Sequence, residues 1–209
     1  MVLAGLFAGV LFIGLILGDW LYFVRLTPDA GRYGCGIARS RDRFSTNSLS
    51  RLQSQVDANG ALTLPHGIAR YYPDLQQIVL RPQYHLFSMG FRTAWPLKGM
   101  IHLKNGDQAV ETLCIKRIPW SSAIITLFWF LLVGLGTTGF MLTYGAQGGF
   151  NSLSGVMMGI GILGIGLLVL AFGIVTVIFS YRLENSRLGT VYEELKVIVD
   201  GTATTARRD

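Results

Sequence analysis

The chain has 209 residues and a formal net charge of +6, with 51% hydrophobic residues and only 14% Asp, Glu, Lys and Arg. Soluble domains carry about a quarter charged residues, so this composition excludes an ordinary soluble domain. The charges are also segregated, since the 64 residues from Ile118 to Tyr181 contain no Asp, Glu, Lys, Arg or His.

Residues 1–25 predict a first transmembrane helix. Met1 to Gly18 bears no charged side chain, and the run continues through Asp19, Trp20 and Tyr22 to Arg25. About 20 apolar residues cross a hydrocarbon core of about 30 Å. The run lacks the basic start and small-residue cleavage site of a secretory signal, so it reads as a retained span. Asp19, in the last turn and within reach of Arg25, reads as an interface ion pair.

Residues 26–118 read as a small, β-rich cytoplasmic domain. The first twenty or so, rich in Gly, Ser and Arg without a clean period, read as an irregular segment along the membrane surface. Strands are then expected at Arg51–Val56 and Ala61–Leu64 around the turn Asp57-Ala58-Asn59-Gly60. Another is expected at Gln77–Leu80. A last pair, Leu97–Lys104 and Gln108–Lys116, flanks Asn105-Gly106-Asp107. Together they predict a small antiparallel sheet or partial barrel.

This segment is basic, with thirteen Arg and Lys against six Asp and Glu from Arg25 to Ile118. The densest patch is Arg39, Arg41 and Arg43. Beside a cytoplasmic leaflet each such cation is worth about 1 kcal/mol of attraction to anionic lipid headgroups. Nucleic acid is not an expected partner, because only Phe44 neighbours the patch and recognition needs a wider basic face with stacking aromatics.

Residues 119–181 predict a transmembrane hairpin, with helix 2 over about 119–145, helix 3 over about 152–181, and the uncharged connection Gly145–Ser152 between them. In helix 3, Gly155, Gly159, Gly166, Gly173 and Ser180 fall at intervals of 4 and 7 residues, which places them on one stripe. Gly134 and Thr138, with Ala123 and Gly145, form a weaker counterpart in helix 2. Small residues let helix backbones approach closely in lipid. The stripe serves either to zip the hairpin or to dock another subunit. Gly161 and Gly164, on the opposite face, point to a second neighbour.

Residues 182–209 predict a cytoplasmic extension of helix 3 followed by a disordered tail from Gly201. Leu188, Val191, Leu195 and Ile198 recur at helical spacing, and this stripe is expected to pack on the β domain.

The fold class expected is therefore a membrane, α-helical protein of three transmembrane helices, with a small mostly-β cytoplasmic domain inserted between helices 1 and 2. Arg and Lys flank the inner ends of all three spans and are missing from the short hairpin connection. This predicts a multi-pass protein of the plasma (inner) membrane, with the N-terminus outside and both the 26–118 loop and the tail cytoplasmic. Cys35 and Cys114 would then be free thiols. In the reverse orientation they would be candidates for a disulfide.

The spans contain no ionisable residue of the kind that marks a transport path and no histidine to ligate haem or pigment. His66, His85 and His102 are scattered singly, without metal-ligand spacing. Gly31, Gly34 and Gly36 lack the context of a phosphate loop, and the loop at Asp57 and Asn59 has Ile68 where a calcium loop needs Glu. No catalytic residue, metal or cofactor is expected, and the chain is not expected to be an enzyme. The expected function is a non-catalytic accessory or assembly subunit of a larger membrane complex, with the bilayer and other integral-membrane subunits as partners. Such a complex would be photosynthetic, respiratory or secretory. The alternatives are a membrane-anchored sensor whose β domain binds a lipid or peptide in a pocket near Tyr71, Tyr84 and Trp95, and a small homo-oligomeric transporter.

Overall fold

The segment after the first apolar run is ordered, not irregular as expected. Cys35–Ser45 is an 11-residue strand, β1, preceded by a short helix, α2, at Pro28–Arg32. The computed structural model describes residues 2–45, 48–83, 93–105 and 109–200. The turn at 106–108, Tyr84, His85 and the tail from Gly201 lie outside the described residues.

The remaining strands are β2 (Ala61–Leu64), β3 (Gly67–Tyr72), β4 (Gln77–Pro82), β5 (Lys98–Asn105) and β6 (Ala109–Ile118). They form one six-stranded antiparallel sheet in the order β1-β6-β5-β4-β3-β2. The sheet is open, with β1 and β2 as edges. The expected strand Arg51–Val56 is instead the end of a helix, α3 (Ser48–Gln55), which buries Leu52. The turn at Asp57 does form. Asp57 Oδ1 accepts from Asn59 N at 2.9 Å and Ala61 N at 2.8 Å, and Gly60 takes φ +72. It leads from α3 into β2, whose partner is β3.

Three helices are long and apolar enough to cross a membrane: α1 (Val2–Phe23), α4 (Trp120–Ala146) and α5 (Leu153–Asp200). None lies between strands, because α1 precedes β1 and the other two follow β6. The expected fold class is corrected accordingly. The centre of the chain is a six-stranded sheet with helices on either side in sequence, and the sheet does not stand alone as a small insert between two spans. It shares one compact unit, residues 1–121 and 183–209, with α1 and the last part of α5. Residues 122–182 form the second unit.

In the first unit, alternation along the strands gives the sheet two different faces. One carries Cys114, Ile101, Ile78 and Tyr71, and the end of α5 covers it with Leu188, Val191, Leu195 and Val199, each at most 1% exposed. The periodicity anticipated this stripe, except that Val199 takes the place expected for Ile198. Burying each such side chain contributes about 1.5–3 kcal/mol. Polar bonds fix the helix at its margins. Tyr192 and Lys196 both donate to Asp42 Oδ2, at 3.1 and 2.8 Å, and His66 Nδ1 meets Glu194 Oε1.

The second unit is a helical hairpin. A Cβ on Gly166 would lie 2.6 Å from the Thr137 methyl, and one on Gly173 would strike Trp129. Toward the turn, Gly159 faces Phe150, and Gly155 lies against the Gly149 carbonyl and Tyr144. Gly148 turns the chain with φ +77. Threonine hydroxyls along the helices bond back to carbonyls one turn earlier, Thr138 to Gly134 O at 2.8 Å and Thr176 to Phe172 O at 2.8 Å. No unpaired hydroxyl is then presented to hydrocarbon at these positions.

Candidate functional site

The second face of the sheet is covered over only part of its length. α2 sits on the end nearest α1, where Gly31 lies against Val79 and Met100 so closely that a Cβ would stand 2.7 Å from a Val79 methyl. Beneath this cover is Lys98, 1% exposed. Its Nζ donates to Phe23 O at 2.7 Å and to Ala30 O, and lies 4.2 Å from the centre of the Phe23 ring. The lysine thus ties the last turns of α1 and α2 to β5 through carbonyls at the two helix ends, that of Ala30 also accepting from Tyr33 N. Burial, and then the Arg117 and Arg81 charges, lower its pKa to about 7.

Farther along the same face, the cover from the described residues gives way to a concavity. Arg41, Leu113 and His102 form one cross-strand row, and Arg43, Glu111 and Lys104 form the next. These six, with Asp42 and Thr112, line a concavity of about 560 Å³. Asp42, in the alternate position, faces α5. Burial opposes its ionisation, but bonds from Lys196, Arg43 N and Tyr192 outweigh that and hold its pKa below the usual value. On the open face Gln77 Nε2 lies 3.3 Å from His102 Nδ1. With the amide as donor, the imidazole keeps its proton on Nε2. Burial, then Arg32 and Arg117, push the His102 pKa down, so it stays neutral at pH 7.

Of the residues singled out in the sequence, Arg39, Arg41 and Arg43 fall on this face of β1, and the last two line the concavity. Gly155, Gly159, Gly166 and Gly173 are brought against α4 and the hairpin turn, whereas Gly134 has nothing within 4 Å of an added Cβ. Thr138 spends its hydroxyl within its own helix. Tyr71 is buried under α5, and neither it nor Trp95 lines the concavity.

Asp19 does not pair with Arg25. It accepts from Tyr33 Oη at 2.5 Å and from Ser121 N and Oγ at 2.9 and 2.5 Å, so it caps the first turn of α4. The same bond raises the Tyr33 pKa to about 12. Cys35 and Cys114 are free. Cys35 stands opposite Ile118, four positions along β6 from Cys114, or about 13 Å. That is too far for a disulfide in either orientation, so their redox state does not report topology.

Sequence reasoning passed over Lys98, Lys104 and Glu184. The Glu184 side chain is 2% exposed, and its Oε1 accepts from Thr93 Oγ1 at 3.1 Å and Arg187 at 2.9 Å. Single charged residues in an alternating strand or helix read as solvent-facing, which holds for Lys104, but nothing local marks Lys98 and Glu184 as enclosed. Among the described residues no three His, Cys, Asp or Glu side chains come together as a metal site.

Comparisons of the chain with protein-family models, with curated proteins and with solved structures find no match. The residues themselves therefore carry the functional argument.

Proposed function

We propose that the chain is a non-catalytic accessory or assembly subunit of a larger membrane complex. α1, α4 and α5 hold it in the plasma (inner) membrane, with the sheet on the cytoplasmic side and the start of α1 outside. Its helices bind neighbouring integral-membrane subunits, and its sheet domain meets a partner or the leaflet.

The observation that carries this reading is the division of the glycines in the hairpin. One face of α5 spends Gly155, Gly159, Gly166 and Gly173 on α4 and the turn. Gly161 and Gly164 on its other face, and Gly134, Gly136 and Gly139 on α4, have nothing within 4 Å of an added Cβ. In lipid, association is driven by close packing at such small residues, so these notches suit helices from another chain. The orientation is supported by Arg25, Lys116, Arg117, Arg182 and Arg187, which flank the three uncharged runs in sequence, with no charge in the Gly145–Ser152 connection.

A pair of substitutions tests it. Gly161→Leu with Gly164→Leu fills open space and leaves the hairpin's own packing alone. The account expects this variant to insert normally yet lose its slower-migrating native-gel species. Gly166→Leu should instead loosen the hairpin against Thr137. Unchanged migration of the double variant would refute docking through that face.

A further inference from the structure

The open end of the second sheet face holds charge that the fold does not use. Arg41, Arg43 and Lys104 converge on the concavity, and none of them forms an ion pair among the described residues, where the pairs are His66–Glu194, Arg187–Glu184 and Lys196–Asp42. Glu111 stands between Arg43 and Lys104 in register, one strand from each. Three cations stand against Glu111 and Asp42, and because Asp42 is already paired with Lys196 the cavity is left net positive. His102 adds a neutral N–H donor held in place by Gln77.

Edge-strand protection is the plain alternative, since charged side chains on an edge discourage pairing with another chain. That accounts for the arginines of β1. It does not account for Lys104 and His102, which stand on β5, two strands in from the edge.

We propose that this concavity binds a phosphate ester bearing free hydroxyls, with Arg41, Arg43 and Lys104 on the phosphate oxygens and Glu111 and His102 on the hydroxyls. Guanidinium groups match phosphate oxygens in pairs. The carboxylate, which would repel a bare polyanion, is the natural acceptor for a sugar or inositol hydroxyl. A volume of about 560 Å³ is in the range of small-molecule sites. The ligand chemistry is common to a soluble sugar phosphate and a phosphorylated lipid headgroup. This assignment stands whether or not the helices dock a partner.

The full chain in phosphatidylcholine nanodiscs is titrated calorimetrically with inositol trisphosphate, inorganic pyrophosphate and sulfate. Saturable one-to-one binding of inositol trisphosphate is expected, weakened about tenfold or more by Lys104→Ala or Arg43→Ala, as loss of a charge-assisted contact implies. Glu111→Gln should erase the preference for inositol trisphosphate over pyrophosphate. Nanodiscs doped with phosphatidylinositol phosphate separate the sources: suppressed binding of the soluble probe assigns the site to a lipid headgroup, and undiminished binding assigns it to a soluble ester. Absence of saturable heat overturns the proposal, as does equal affinity for sulfate or an unchanged affinity in both alanine variants.

Discussion

Lys98 joins two helix ends to the sheet through its Nζ, and its burial makes that junction sensitive to pH. Its pKa in the folded chain is about 7, against an ordinary value of 10.5. Between those values the unfolded chain holds a proton that the folded chain lacks, so stability rises with pH across that window and is lost as pH falls toward 7. Melting of the full chain in detergent, followed by intrinsic fluorescence, should show a higher Tm at pH 9.5 than at pH 7. In Lys98→Met this rise should shrink. Equal slopes in the two proteins would show that Lys98 is not the titrating group. None of this was legible locally, because Lys98 sits between Leu97 and Gly99 as any strand residue would. Asp19 was recognisable as the first charge at the end of the N-terminal apolar run, but its partners, Tyr33 and Ser121, are 14 and 102 residues away.

Long elements with one dominant period were readable, as was β2 beside its turn, whereas β1, β3 and α3 were not. The three apolar helices and the strands β4, β5 and β6 lie close to where periodicity placed them. β1 has too few apolar residues to alternate visibly, with Arg39, Arg41 and Arg43 on one side and Ser40, Asp42 and Phe44 on the other. It is a strand because β6 pairs with it over nearly its whole length, and context of that kind overrides propensity. α3 was misread because eight residues hold only two turns, too few to separate helical spacing from alternation. The contact between α5 and the sheet is tight enough to test. A Cβ on Gly67 would lie 2.6 Å from the Val191 methyls and 2.7 Å from Arg81 O. Gly67→Ala should therefore cost about 1–3 kcal/mol by overpacking, read as a lower Tm together with faster tryptic cleavage after Arg187 and Lys196. Wild-type behaviour would mean that α5 is not seated closely on β3.

At the scale of the whole molecule, the three helices long and apolar enough to cross a membrane were legible from the uncharged runs, whereas the fold class was not. Counting spans gave an α-helical protein with a small insert. The sheet proved to be the centre of a unit that also claims α1 and the end of α5, because the residues that join them, Lys98, Asp42 and the Leu188 to Val199 stripe, belong to different segments. The central claim is that the helices exist to bind neighbours. Native mass spectrometry of the chain purified in mild detergent tests it most directly. The account predicts a stable assembly containing other integral-membrane subunits beside the 23.0 kDa chain; recovery of the chain alone, or only as copies of itself, would contradict it.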